Sequence, residues 1–252
     1  MIEIFILSLI QGVTEFIPIS SSSHLIIVSK YLNFSNQSLS VDVSLHIGSF
    51  IAVIVFFRKD IFNFIKNKDL FIKIIISSIP VMIAGYILVK LNLIDLLRNV
   101  KIIGWTTILF SFLLFLSDKV KIERKIDHNF TFKSAIFIGF FQILSLIPGV
   151  SRSGITITAA RMLRFDRFDS AKISFFLSIP TLAAVSFFGL NNLIISENLN
   201  FSTLNLVAIF LSFIFSFITI KIFLNFIKKF SLTVFVIYRV ILGMILLFFA
   251  YL

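Results

Sequence analysis

The chain has 252 residues, of which 58% are hydrophobic and only 14% are charged, and its mean hydropathy is +1.06. A soluble domain has about 45–50% apolar and about 25% charged residues, so one globular core cannot bury this much apolar surface and we expect an integral membrane protein. The formal charge of +11 does not indicate a nucleic-acid partner, because Lys and Arg lie in short stretches between apolar segments, and the lack of cysteine excludes disulfides and thiolate zinc sites.

The first predicted element is an apolar segment at about 1–32, which is interrupted after Pro18 by a run of serines. Proline ends a helix, and a break at membrane depth is tolerated only where the freed backbone is buried in protein or lines a wet cavity. We therefore interpret this segment as two half-helices that form a re-entrant hairpin. Its start lacks the basic region of a cleavable signal peptide.

Polar residues on both sides of this break are candidates for chemistry. Gln11 and Glu15 are four residues apart and share a helix face, and a carboxylate at membrane depth is usually functional. The serines at 20–23 are suited to cap the second half-helix, whose free N–H groups favour an anion. His24 follows in its first turn as the candidate acid or base, although a structural role is the alternative for it and for each serine.

Six further segments are long and apolar enough to cross a bilayer, for which about 20 residues are needed. Three of them follow the first hairpin and three end the chain; they lie at about 41–57, 71–90, 100–117, 172–190, 204–222 and 233–252. A basic loop at about 118–133 and a second interrupted apolar segment at about 134–162 separate the two groups.

The second interrupted segment breaks at the run PGVSRSGIT, residues 148–156. The guanidinium of Arg152 presents a bidentate fork to phosphate oxygens, and hydroxyls and backbone N–H groups add neutral donors. We predict a phosphate-binding site here, formed by Ser151, Arg152, Ser153 and Thr156. Snorkelling of Arg152 to an interface, or its pairing with Glu15, is the alternative.

The distribution of Lys and Arg predicts the topology. If the N-terminus is outside, both hairpins return to their own side and the six spans cross, then 17 Lys and Arg lie inside and 4 outside. Each half then crosses three times, so the half at 134–252 is inverted relative to the half at 1–117. The predicted fold is an all-α polytopic membrane protein, a single domain over 1–252 built from two inverted-topology repeats, each a re-entrant helical hairpin plus three transmembrane helices.

A carboxylate, hydroxyls, an imidazole and a guanidinium at one place suit phosphoryl transfer, where positioning and charge stabilisation dominate. A flippase or anion-coupled transporter is the alternative, since such repeats also build transporters, whereas a structural scaffold has no use for buried ionisable groups. His46 in an apolar span and His128 in the basic loop are weaker candidates. We interpret Tyr238 and Arg239 as a head-group contact or an interface anchor, and the basic loops as topological, with anionic-lipid contacts as an addition.

These motifs resemble those of a known family. Gln11-x-x-x-Glu15 followed by Pro18-x-Ser-Ser-x-x-His24 resembles the first signature of the undecaprenyl-diphosphate phosphatases of the bacitracin-resistance type. PGVSRSGIT at 148–156 resembles their second signature, PGxSRSxxT, and YRVILG at 238–243 is similar to their C-terminal segment, so the resemblance runs through the whole chain. The chain departs from the family at Gln11, where many members have a second glutamate, and at 22–23, where many have Thr-Gly or Ser-Gly.

The resemblance implies hydrolysis of undecaprenyl diphosphate to undecaprenyl phosphate and inorganic phosphate, which recycles the lipid carrier of cell-wall synthesis and confers bacitracin resistance. It implies catalytic roles for Glu15, Ser21, His24 and Arg152, with Ser21 or an activated water as the nucleophile and His24 as base or acid. It also implies a divalent cation, Mg²⁺ or Ca²⁺, held by Glu15 with Gln11, although the neutral amide weakens a two-carboxylate site.

The expected location is the bacterial inner membrane, with the active site open to the outer face and both termini outside. The expected partners are the polyprenyl diphosphate lipid and membrane lipids, and a homo-oligomer is compatible with the sequence.

Overall fold

The computed structural model of the chain describes residues 1–32, 34, 38–66, 68–91, 93–195 and 202–252. Within these residues all regular structure is helical, apart from an isolated bridge between Arg124 and Phe165. The α-helices of the described residues, in chain order, are α1 Ile2–Thr14, α2 Ser21–Leu32, α3 Leu39–Phe56, α4 Arg58–Lys66, α5 Lys68–Lys90, α6 Ile94–Leu97, α7 Val100–Asp118, α8 Ile126–Asn129, α9 Phe132–Ile143, α10 Arg152–Met162, α11 Arg167–Ile195, α12 Thr203–Ile227 and α13 Thr233–Tyr251. A short 3₁₀ helix, Leu144–Leu146, follows α9.

Among the described residues, six helices are long and apolar enough to cross a membrane, namely α3, α5, α7, α11, α12 and α13. They coincide with the six spans predicted from hydropathy, which confirms an all-helical polytopic membrane protein. Helices α11 and α12 extend beyond the predicted 172–190 and 204–222 at both ends. Hydropathy marks only the apolar part of a helix, whereas the hydrogen-bonded turns continue into its polar ends.

The spans pack closely because small residues line their contacts. Helix α3 packs against α11 and α12, α7 against α13, α1 against α12, and α9 against α5. Ser49 Oγ on α3 forms hydrogen bonds with Ser212 Oγ at 3.2 Å and Ser216 Oγ at 3.0 Å on α12. A Cβ at Gly48 would lie 2.4 Å from the carbonyl oxygen of Ile209, so only glycine allows this approach of the two helices.

A buried polar cluster fixes one end of the bundle. Asp118, at the end of α7, accepts two hydrogen bonds from the Arg167 guanidinium at 2.6 and 2.9 Å, and one from the Leu232 N–H at 3.1 Å. Arg161 Nη2 donates to the carbonyl oxygens of Asp118 and Val120 at 2.9 and 2.8 Å. These contacts join the ends of α7, α10, α11 and α13, and so they hold α10 at a fixed depth.

The chain leaves the helical conformation at both prolines where a helix break was predicted. Pro18 lies between α1 and α2, and Pro148 lies between α9 and α10. Helix α1 packs on α2, and α9 packs on α10. The chain before α9 also meets the chain after α10, since the Glu123 N–H donates to the Arg164 carbonyl oxygen at 3.1 Å.

Candidate active site

The structure brings the two predicted polar clusters together. Arg152 Nη2, at the start of α10, donates to Glu15 Oε1 at 2.7 Å, although the two residues are 137 positions apart. Ser153 Oγ donates to the carbonyl oxygen of Ile17 at 2.8 Å. We call this meeting point of the two helix interruptions the junction.

Arg239 on α13 donates hydrogen bonds to both chain segments that form the junction. Its Nη1 donates to the Pro18 carbonyl oxygen at 3.3 Å, and its Nη2 donates to the carbonyl oxygens of Gly149 and Val150 at 3.0 and 3.1 Å. The side chain is fully buried, and no carboxylate of the described residues pairs with it. The interpretation of Arg239 as a head-group contact or interface anchor is therefore wrong, because its guanidinium faces the protein interior.

Both half-helices that leave the junction begin with a strained serine. Ser20 precedes α2 with φ at 78°, and Ser151 precedes α10 with φ at 70°. Side chains avoid this left-handed region for steric reasons, and such strain is concentrated at functional sites. Ser151 Oγ accepts a hydrogen bond from the Gly154 N–H at 3.1 Å. The first N–H groups of a helix lack intrahelical partners, so each start offers donors and a positive dipole end to an anion.

The carboxylate of Glu15 accepts three side-chain hydrogen bonds. Ser21 Oγ donates to Oε2 at 2.6 Å, Gln11 Nε2 donates to the same oxygen at 3.1 Å, and Arg152 donates to Oε1. Only 7% of Glu15 is exposed, so these charge-assisted bonds act at low dielectric. A serine hydroxyl that donates to a buried carboxylate has the geometry of an activated nucleophile.

Gln11 connects Glu15 to His46, a residue that the sequence analysis rated as weak. Gln11 Nε2 lies 3.1 Å from His46 Nδ1 on α3, so its two N–H groups point to Glu15 and to His46. The reversed amide would turn its oxygen toward the Glu15 carboxylate, which has no proton to donate. Gln11 Oε1 is buried and has no hydrogen-bond partner among the described residues.

His24 forms a pair with Tyr238 of α13. Its Nδ1 lies 2.6 Å from the Ser20 carbonyl oxygen, and its Nε2 lies 2.7 Å from the Tyr238 hydroxyl. Because a carbonyl only accepts, Nδ1 carries the proton and the Nε2 of a neutral ring accepts from Tyr238. Within the described residues His24 makes no hydrogen bond with Ser21, whose hydroxyl is directed to Glu15.

The predicted phosphate-binding residues divide into two groups. Ser151 and Ser153 lie at the junction, with their hydroxyl oxygens 3.2 Å apart. Thr156 is fully buried one turn further along α10, where its hydroxyl lies 2.9 Å from the Arg152 carbonyl oxygen and 2.7 Å from Ser174 Oγ on α11. The geometry thus places Thr156 in the α10–α11 contact, beneath the residues that face the junction.

The donors at the junction suit a hard cation only in part. No group of three or more His, Asp or Glu side chains within the described ranges has the arrangement of a metal site. Mg²⁺ is nevertheless often bound through one or two carboxylates together with substrate phosphates. Glu15 supplies a carboxylate donor of this kind, and the buried Oε1 of Gln11, which has no partner among the described residues, is an oxygen donor on a side chain that contacts Glu15.

Three residues at the site, His46, Tyr238 and Arg239, were not among the predicted site residues. Ionisable residues inside an apolar span are the sequence signal for such positions. That signal is present at His46 and Arg239, but it does not identify a partner. Tyr238 carries no comparable signal, because tyrosine is common near membrane interfaces.

Comparison with known proteins finds a family and relatives that match nearly the whole chain. Residues 4–245 match the model of a family described as bacitracin resistance protein BacA. The chain is 52% identical over 246 residues to an undecaprenyl-diphosphatase of Pelagibacter ubique (strain HTCC1062), covering 97% of this chain and 96% of that protein. It is 42% identical to an undecaprenyl-diphosphatase of Aliivibrio salmonicida (strain LFI1238), covering 97% and 96%, and 37% identical to one of Jannaschia sp. (strain CCS1), covering 98% of each.

Proposed function

The chain belongs to the bacitracin resistance protein BacA family, and from this membership we propose that it is an undecaprenyl-diphosphatase. It hydrolyses undecaprenyl diphosphate to undecaprenyl phosphate and inorganic phosphate, which returns the lipid carrier to cell-wall synthesis and confers bacitracin resistance. One observation carries the assignment of the reaction to the junction. Glu15 accepts hydrogen bonds from Ser21 and from Arg152, which lie at the starts of the two different half-helices.

The diphosphate binds where positive charge is in excess. Arg152 donates to Glu15 and to the Ser174 carbonyl oxygen, and its other N–H groups remain for phosphate oxygens. Arg239 adds a buried guanidinium that donates to backbone carbonyl oxygens of the junction, so two guanidinium groups and the single carboxylate of Glu15 lie at this point. Preorganised charge of this kind stabilises the oxygens of a transferring phosphoryl group.

The reaction at phosphorus starts from the Ser21–Glu15 contact. Ser21 Oγ forms a bond to the terminal phosphorus while the bond to the bridging oxygen breaks, and the Ser21 proton passes to Glu15. Undecaprenyl phosphate leaves, and water then attacks the phosphoserine, which releases inorganic phosphate and returns the proton to Ser21. In the alternative route Glu15 deprotonates a water that attacks directly.

The His24–Tyr238 pair lies one turn further along α2 than Ser21 and supplies a proton relay. Its hydrogen bond of 2.7 Å allows a proton to move between the hydroxyl and the imidazole. His24 is half-buried and Ser22 beside it is exposed, so this side of the junction is open for the lipid head group. We assign the neutral His24 ring, whose Nε2 carries no proton, the base role: it accepts a proton from the water that attacks the phosphoserine and releases it to the departing inorganic phosphate.

Glu15 would hold a divalent cation, Mg²⁺ or Ca²⁺, with Gln11 Oε1 as a further oxygen donor. When bound, it supplies charge neutralisation for the diphosphate oxygens.

The fold consists of two inverted repeats with re-entrant hairpins. An inverted repeat relates each helix of the first half to one of the second half, namely α1 to α9, α2 to α10, α3 to α11, α5 to α12 and α7 to α13. Under this exchange the contact of α1 with α12 becomes the contact of α9 with α5. The contact of α3 with α12 likewise becomes that of α11 with α5, and both members of each pair are present. The contact of Glu123 with Arg164 supports a second hairpin that returns to its own side. The excess of basic residues on that side supports a cytoplasmic location for it and an outside location for the termini.

The test is phosphate release from undecaprenyl diphosphate by the purified protein in detergent, with and without EDTA. Arg152→Ala is expected to reduce release by about a hundredfold or more, since removal of one charge-stabilising donor has effects of this order. Arg58→Ala, an exposed arginine at the start of α4, is the matched control and keeps wild-type activity. Absence of release from folded wild-type protein with cation present would contradict the enzymatic function.

A further inference from the structure

A cavity of about 530 Å³ lies at the far end of the α9–α10 pair from the junction. It is bordered by the loop before α9, the first turns of α9 and the residue that follows α10. Helix α10 has 11 residues, so the cavity is about 16 Å from the junction along this helix. The cavity is large enough for a small ligand and is separate from the site of phosphoryl transfer.

The charged and titratable residues that line this cavity are all basic: Arg124, His128 and Lys133. Within the described residues none of the three forms an ion pair. Arg124 brings a guanidinium and Lys133 an ammonium group, and His128 adds an exposed N–H donor. The lining of the cavity therefore contains basic but no acidic side chains.

Three nearby acids are already paired with other cations, and two more, Asp127 and Asp169, are not part of the cavity lining. Glu123 pairs with Arg164, and Asp166 pairs with Lys125. Asp118 is bound by Arg167 in the buried cluster. The membrane topology accounts for an excess of basic residues in these loops. It does not explain why some basic side chains pair with acids while Arg124, His128 and Lys133 surround a cavity.

The rest of the lining shows what kind of anion fits. Asn129 and Thr131 supply neutral polar groups, and Phe137 and Leu163 form an apolar wall. Phe137 belongs to an exposed apolar face of α9 that also includes Phe132, Ile136 and Phe140. An exposed apolar face on a membrane protein meets acyl chains, so a ligand here has a charged head beside its apolar tails.

We propose that this cavity, formed by Arg124, His128 and Lys133 with the Phe137 wall, binds the phosphate of an anionic phospholipid. The two fixed charges hold the phosphodiester, Asn129 and Thr131 contact the rest of the head group, and the acyl chains lie along α9. A free phosphate ion shares the head-group chemistry, but it leaves the apolar wall unused.

The test compares lipid retention by two charge-matched variants of the full chain. Native mass spectrometry of detergent-purified protein titrated with phosphatidylglycerol or phosphatidylcholine gives the apparent affinity. In Arg124→Gln/Lys133→Gln, phosphatidylglycerol affinity is expected to fall about tenfold or more, because each basic side chain near an anionic surface adds to binding. In Lys121→Gln/Lys229→Gln, which removes two exposed lysines outside the cavity, affinity is expected to change less than about twofold.

Equal losses in the two double variants, or equal retention of both lipids by the wild type, would overturn the proposal. A second arm adds inorganic phosphate at millimolar concentration. Phosphatidylglycerol is expected to stay bound, since its acyl chains contact α9, and complete displacement would overturn the lipid assignment. Thermal unfolding of each variant is measured in the same detergent. A midpoint near that of the wild type shows that a loss of lipid affinity does not result from unfolding.

Discussion

At the scale of single residues, the 2.6 Å contact of Ser21 with Glu15 separates two routes of hydrolysis. If Ser21 attacks phosphorus, Ser21→Ala is expected to lower turnover by on the order of a thousandfold or more, because the covalent intermediate is lost. Rapid quenching of the wild type with substrate labelled at its terminal phosphate should then trap label on the protein. Ser22→Ala, an exposed neighbour that does not contact Glu15, is the control. Near-normal turnover of Ser21→Ala would leave direct attack by water.

His46 is expected to act through Gln11. His46→Leu leaves a buried Gln11 N–H without its acceptor, which costs about 1–3 kcal/mol and lets the amide turn away from Glu15. We expect kcat to fall by about tenfold or more, with a smaller change in KM. His46→Gln is expected to recover most of this loss, because its amide oxygen accepts the same hydrogen bond. Steady-state kinetics of both variants decides, and equal loss in both would contradict the positioning role.

The motifs predict Glu15, Ser21 and Arg152 as neighbours because Glu15 and Ser21 flank the break at Pro18 and Arg152 follows the break at Pro148, and a shared polar site explains both breaks. The partners of these residues were less accessible. His46 is 35 positions from Gln11, and the contact depends on how α3 and α1 pack rather than on any local pattern. Hydropathy also cannot say whether an arginine such as Arg239 faces lipid, an interface or a buried carbonyl.

At the scale of helices, Arg239 joins α13 to both interruptions. Arg239→Lys keeps the positive charge but lacks the planar guanidinium that reaches the three carbonyl oxygens. Arg239→Met removes the charge and the hydrogen-bond donors together. Both variants are expected to lose at least about 1–3 kcal/mol of stability, because buried carbonyls lose their donors. Activity is expected to persist partly in the Lys variant and to vanish in the Met variant, since only Lys retains the charge beneath the diphosphate.

Thermal unfolding and phosphate release, measured on the same detergent preparations, check this expectation. Arg58→Met, at an exposed position, should match the wild type in both measurements. A Met variant as active as the Lys variant would show that Arg239 acts through structure alone.

The helices themselves follow from the sequence to the extent that they are apolar. The six spans and the two proline breaks are predicted because both depend on local composition. Helices α4 and α8 lie in segments predicted to be loops between the spans, and α8, Ile126–Asn129, occupies the predicted basic loop at 118–133. Neither is apolar enough to give a hydropathy signal, so their helical state depends on packing at the ends of the spans.

At the scale of the whole molecule, the helix contacts support the proposed repeat more strongly than the sequence similarity between the two halves does. The two halves share little sequence, and the prediction of inversion came from an odd number of crossings in each half. The contacts of α1 with α12 and of α9 with α5 are the two that the proposed inversion would make equivalent. Which helices pack together was not predictable, because the contacts depend on small residues such as Gly48, whose partners lie in the other half.

The chain has no cysteine, so its topology is open to single-cysteine labelling. Lys101, Lys121 and Lys229 are exposed and lie in three different connections or helix ends. In intact cells, a membrane-impermeant maleimide is expected to label Lys101→Cys but neither Lys121→Cys nor Lys229→Cys, which react only after permeabilisation. The segment between positions 121 and 229 contains the second hairpin and the spans α11 and α12, so a returning hairpin leaves both positions on one side. Labelling of Lys121→Cys and Lys229→Cys from opposite sides would mean that the hairpin crosses the membrane, and reversal of all three would invert the orientation.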